Sequence, residues 1–165
     1  MDVYLVRHAI AYDRNSTRWP NDALRPLTAV GKRKFRKAAG GLARLIPKSA
    51  LVLTSPYVRA RETADILVAV ARLHKPVEAA ELASGKAARE AFALLRAHRR
   101  KSTVMVGHEP NLSTWMSAAL ARESARLDIE FRKGGAACLR FEGAIAPGRG
   151  KLIWMLPPGA LRAMR

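Results

Sequence analysis

The chain has 165 residues, with 30 Lys+Arg against 13 Asp+Glu for a formal net charge of +17, and 49% of its residues are hydrophobic. That size and apolar share predict one domain over residues 1–165 with a proper core, and the single cysteine, Cys138, excludes a disulfide framework and any Cys-rich zinc or iron–sulfur site. No window approaches the roughly 18 apolar residues of a spanning helix, and Met1-Asp2 runs into Val3–Val6 without the segments of a signal peptide, so the expected compartment is the cytoplasm, with no membrane partner.

Val3–Val6, with a β-branched residue at each end, reads as a buried strand. The Pro/Asn/Asp-rich stretch from Tyr12 to Pro26 is a loop. A first helix opens at Thr28, a plausible N-cap, and aligns Phe35, Ala38, Ala39, Leu42, Leu45 and Ile46, with Lys32, Arg33, Arg36 and Lys37 on its opposite face. Leu51–Leu53 is a second strand. The helix after Pro56 stripes Thr63, Ile66, Leu67, Val70 and Leu73, and another over Ala87–Arg99 aligns Ala88, Ala91, Phe92 and Leu95. Thr103–Val106 is a third strand. A helix from Pro110 aligns Leu112, Trp115, Met116 and Ala119, and Pro56 and Pro110 both suit first-turn positions. Ala136–Phe141 and Lys151–Leu156 should pair as a hairpin around the Gly143–Gly150 turn. The alternation predicts an α/β fold: a three-layer α/β/α sandwich with a mostly parallel central sheet and a C-terminal β-hairpin.

In open sheets of this kind ligands sit beyond the carboxyl ends of the strands. The first strand delivers Arg7-His8 there, the second Ser55-Pro56 with Arg59 one turn later, and the third Gly107-His108. If these strands are parallel neighbours, two arginines and two histidines converge on one crevice. Guanidiniums fork onto phosphate oxygens, helix starts add positive potential, and an imidazole supplies a nucleophile.

These residues resemble a family. "LVRHA" at Leu5–Ala9 resembles the Arg-His-Gly motif of the histidine phosphatase superfamily. "LRPLTAVGKRK" at Leu24–Lys34, "LTSPYVRARETA" at Leu53–Ala64, "VMVGHEPNLS" at Val104–Ser113, "KGGAACLRF" at Lys133–Phe141 and "WMLPP" at Trp154–Pro158 are similar to its small SixA-type phosphohistidine phosphatases, in family order and spacing. The resemblance implies a metal-independent phosphatase with no cofactor. His8 would attack phosphorus and become a transient phosphohistidine, with one ring nitrogen unprotonated and the other donating to a backbone carbonyl, and neighbouring cations lowering its pKa. Arg7 and Arg59 would hold the equatorial oxygens, and a cationic His108 would hydrogen-bond the transferring group. Glu81 matches the general acid, with Glu78 its nearest competitor and a solvated loop carboxylate the plain alternative. Ala9 stands where the wider superfamily has Gly, a strained exchange if that position needs positive φ.

Other residues have two readings. Asn111 and Ser113 fall in the first turn after His108, where capping competes with phosphate contact. Trp19 could rim the pocket or pack locally, Asp22 and Arg25 suit a structural ion pair, Trp115 and Trp154 read as core, and Cys138 reads as a buried small apolar residue. The short stretch between the second and third strands leaves no room for a large cap, so the site should be open and suited to a phosphorylated protein. The alternatives are the same chemistry on small phosphoesters, phosphoanhydrides or polyphosphate, and a nucleic-acid-binding module with a vestigial site. Basic clusters at Lys32–Lys37, Arg96–Lys101 and Arg149–Lys151 motivate the last, but they lack interleaved aromatics, so nucleic acid is the weaker partner and the charge reads as a steering field.

Overall fold

A computed structural model describes residues 1–121 and 127–164. Six strands, β1 (Asp2–Arg7), β2 (Leu51–Thr54), β3 (Val77–Glu78), β4 (Ser102–Gly107), β5 (Ala136–Arg140) and β6 (Lys151–Leu156), form one sheet in the order β3-β2-β4-β1-β5-β6. The first four are mutually parallel, whereas β5 runs antiparallel to both β1 and β6. The C-terminal hairpin is therefore present and completes a mixed sheet.

Side-chain alternation along β1 divides the core. Tyr4 and Val6 join Val52, Val104 and Val106 under helices α1 (Ala29–Leu45), α2 (Val58–Ala71) and the short α5 (Pro158–Ala163). Val3 and Leu5 face the other way, with Leu53 and Met105, under α3 (Ala88–His98) and α4 (Asn111–Leu120). Strands covered on both faces read as continuous apolar runs, and that is how the sequence shows them. The three-layer α/β/α sandwich is the observed architecture.

Local signals explain most element boundaries. Thr28 caps α1, its Oγ1 accepting from Gly31 N at 2.9 Å. α2 and α3 end at Arg72 and Arg99, both in the left-handed region. The buried stripe of α2 runs through Arg59, Ala60, Thr63, Ala64, Leu67 and Ala71, while Ile66, Val70 and Leu73 only flank it. Small alanines let α1 approach, so the face is rotated from the bulky residues that periodicity favoured. The prolines are also displaced: Pro110 is the cap position of α4, after a cis peptide, and Pro56 precedes the cap residue Tyr57. Neither β3 nor α5 was expected from the sequence.

Candidate active site

Register assembles the site. β1 and β4 pair from Asp2↔Ser102 to Arg7↔Gly107, so His8 and His108 leave adjacent strands side by side. His8 N donates to Gly107 O at 3.0 Å, and the two imidazole centroids are 5.1 Å apart. On the other side of β4, Thr54 pairs with Val106, and Ser55 N continues the ladder by donating to Val106 O at 3.0 Å. Ser55 thereby reaches His108, and α2, starting three residues later, carries Arg59 inward in its first turn. All four residues expected at the strand ends share this crevice.

His8 Nδ1 lies 2.7 Å from Ala9 O. A carbonyl can only accept, so Nδ1 carries the proton and Nε2 keeps a lone pair. Burial pushes the His8 pKa down to about 3; the Ala9 hydrogen bond opposes this, and the charges of Arg59, Arg7 and Lys133 reinforce it. The expected neutral imidazole is there, with burial rather than neighbouring cations as its main cause.

His108 departs from expectation. Burial, followed by His8 and Arg59, pushes its pKa down to about 2, so in this structure it is neutral rather than cationic. Its Nε2 is 2.7 Å from Ser55 Oγ, its ring meets Tyr57 at 4.9 Å, and Nδ1 is buried without a protein partner. The Asp22 carboxylate favours the charged form, but desolvation outweighs it.

Both arginines are anchored by their terminal nitrogens. Arg7 Nη1 donates to Phe131 O, Arg59 Nη1 donates to Asp22 O at 2.8 Å, and Arg59 Nη2 meets Asp22 Oδ2 at 3.0 Å. The Arg59 guanidinium also stands 4.9 Å from the Tyr57 ring centroid. Each Nε is buried and unpaired within the protein. Two guanidinium Nε–H donors and an imidazole Nδ1 without protein partners suit an oxyanion, which offers acceptors in every direction.

Backbone contacts hold this set in place. Ala9 N donates to Thr63 Oγ1 at 3.0 Å, and Thr63 in turn donates to Arg59 O at 2.7 Å, tying the turn after His8 to α2. Gly134 N donates to Arg7 O and His8 O, with Gly134 at φ 76°, where a side chain would be strained. Ala9 is not at positive φ; the only non-glycine residues there, among those described, are Arg72 and Arg99. Alanine therefore sits at that position without strain.

The two carboxylate candidates separate cleanly. Glu78 lies on β3 and pairs with Arg61 at 2.9 Å, whereas Glu81, in the turn Ala80–Leu82, lines a small cavity of about 20 Å³ together with His108. Asn111 lines that cavity too, but its amide serves the loop beside it. Nδ2 donates to Ala83 O at 2.9 Å and Lys86 O at 3.0 Å, and Oδ1 accepts from Gly85 N at 3.1 Å. With both donors engaged, neither phosphate contact nor capping describes it; Glu109 Oε1 caps α4 by accepting from Ser113 N at 3.1 Å. Asn111 fixes the loop that follows Glu81.

The role of Asp22 at the site is what sequence reasoning missed. The expected pair with Arg25 forms at 2.8 Å, yet the same carboxylate holds Arg59, so the Tyr12–Pro26 loop lies against the site. The site is recessed rather than open: His8 is 6% exposed and His108 2%. Trp19 packs locally against Tyr12 and under Arg18, Trp115 is core, Trp154 is half-buried beside Tyr4, and Cys138 is buried.

Parallel neighbouring strands whose ends bring Arg-His, Ser-Pro and Gly-His together place the chain in the class of α/β phosphatases. The profile of the histidine phosphatase superfamily (branch 1) matches residues 3–86, and the chain belongs to that superfamily. His108 lies outside the matched segment, so its place rests on the geometry above. An uncharacterized protein of Picosynechococcus sp. is 31% identical over 85% of each chain. Among solved structures, the protein histidine phosphatase SixA complexed with tungstate superposes with a TM-score of 0.82 at 24% identity, covering 98% of this chain and 99% of its own. The candidate phosphohistidine phosphatase SixA of Agrobacterium tumefaciens gives 0.76 at 26% identity over 95% and 97%.

Proposed function

We propose that the chain is one catalytic domain that removes phosphate from phosphohistidine on a protein, through a phosphohistidine formed at His8. The observation that carries the chemistry is the His8 Nδ1 to Ala9 O bond, which leaves Nε2 unprotonated among Arg7, Arg59 and His108. Nε2 attacks phosphorus as the substrate's P–N bond breaks; Arg7 and Arg59 neutralise the equatorial oxygens, and Glu81 gives a proton to the leaving imidazole. Glu81 then takes a proton from the water that cleaves the His8 phosphoryl bond. Asn111 acts indirectly, by positioning the loop beside Glu81. A relative of this fold was solved with tungstate, a tetrahedral oxyanion like phosphate.

The substrate class rests on two supports. Among the described residues, only α2, β3, a short turn and α3 stand between β2 and β4, and the solved structures of this fold include SixA proteins. A protein-borne imidazole is also a good leaving group, undemanding of a strong general acid. Phosphate release from a phosphohistidine protein should persist in excess chelator and fall at least a thousandfold in His8→Ala. Full activity of that variant would overturn the mechanism. Faster turnover of phosphoserine peptides, small phosphoesters or polyphosphate would overturn the substrate.

A further inference from the structure

A second basic cleft lies at the opposite end of the sheet. It holds about 630 Å³ between the α3–β4 connection and the β5–β6 turn, with Arg96, Arg99, Arg100 and Lys101 on one side and Ala144 and Ile145 on the other. Lys101 immediately precedes β4, whereas His108 follows that strand. Six residues of strand separate them, about 20 Å at ~3.3 Å per residue. A ligand in this cleft cannot touch His8.

The charge here is more than helix-end chemistry. Basic side chains in a last helical turn answer the helix dipole, and Arg96 does so while its Nη1 also donates to Ile145 O at 3.1 Å, bracing the two walls. Arg100 and Lys101 lie beyond the helix, where the dipole asks for nothing. None of the four forms an ion pair with a described carboxylate. The nearest acidic side chains on the adjoining strand and turn are taken, Asp2 by Arg140 and Glu142 by Lys151, each at 2.7 Å. Four exposed cations without counter-charge raise the local potential and concentrate anions at this cleft.

Shape narrows the anion. The volume falls in the range of small-molecule sites, roughly 300–1,000 Å³. Three successive cations, Arg99 to Lys101, span only about 7 Å of backbone, the length of a chain of two or three phosphates. Among the described residues no aromatic side chain lines the cleft, so bases have nothing to stack on. We propose that this cleft is a second anion site, separate from His8, that binds a compact oligophosphate across Arg99, Arg100 and Lys101.

Calorimetric titration of sodium tripolyphosphate into the full chain tests this. Binding should persist in His8→Ala and weaken at least tenfold in Arg99→Ser/Arg100→Ser/Lys101→Ser. The charge-retaining Arg99→Lys/Arg100→Lys/Lys101→Arg should stay within threefold of the parent. Turnover of a small phosphoester should change less than twofold in both cleft variants. Arg100→Glu, a single exposed change, gives the same tenfold loss if the triple variant is poorly folded. Unchanged binding in the cleft variants, loss confined to His8→Ala, equal affinity for orthophosphate, or tighter binding of a single-stranded RNA than of tripolyphosphate would each overturn the proposal.

Discussion

At the residue scale, burial sets the charge of both histidines, and this links the site to folding. In the unfolded chain each imidazole titrates near 6.5, whereas in the fold His8 is pushed down to about 3 and His108 to about 2. Below the unfolded value the unfolded state takes up protons that the native state refuses. Stability is therefore fully present above about pH 6.5 and lost as pH falls toward the folded values, by up to about 1.4 kcal/mol per histidine per pH unit. Urea unfolding should show a loss of up to about 4 kcal/mol between pH 7 and pH 5, a large part of a typical ~5–15 kcal/mol. His8→Asn/His108→Asn should flatten that slope; an unchanged slope would place the acid sensitivity elsewhere. Asp22 works at lower pH. Partial burial raises its pKa, but Arg25, Arg59 and Arg14 outweigh it and hold it below 3.8, so its grip on Arg59 is released only on strong acidification.

At the element scale, packing of α5 on α1 depends on a glycine. A Cβ on Gly41 would run into the backbone carbonyl of Leu161, whereas one on neighbouring Gly40 would meet nothing. Gly41→Ala must push α5 off α1 and should cost about 1–3 kcal/mol, while Gly40→Ala should stabilise the helix by about 0.5–1 kcal/mol. Opposite shifts in the urea midpoint check both, and equal shifts would mean that α5 packs loosely. The contrast also marks where sequence reading ends. Apolar runs and a Thr28 cap made β1, β2, β4 and α1 readable, and the strand-end residues exposed His8, Arg7, Arg59 and His108 before any geometry. β3 is two residues long and α5 begins in a Pro-Pro-Gly run that reads as a turn, so neither leaves a periodic signal. Asp22 on Arg59 and Asn111 on the Ala83–Lys86 loop are through-space pairings between segments 37 and about 26 residues apart, which no local pattern encodes.

At the scale of the whole molecule, the +17 charge is carried largely by exposed side chains, some of them clustered near each end of the sheet. Around the active site stand Arg18 in the loop, Lys34 in the first turns of α1 and Lys133 beside His8, none paired with a described carboxylate, while Lys32 is taken by Glu62 and Arg25 by Asp22. These cations are exposed, whereas His8 and His108 are recessed. Their field still reaches an approaching acidic protein, over a Debye length of about 10 Å at 0.1 M salt and about 30 Å at 0.01 M. Arg7 and Arg59, in contrast, are half-buried or fully buried and poorly screened. Salt should therefore act on capture and spare chemistry. Raising NaCl from about 0.01 to 0.3 M should lower kcat/KM for an acidic phosphohistidine protein at least tenfold with kcat within twofold, since steered association falls steeply with ionic strength. A small singly charged phosphoester, which the field attracts less, should lose about threefold or less. Lys34→Ser should reduce the salt slope for the protein substrate without altering kcat. Equal salt slopes for both substrates would show that the surface charge does not steer.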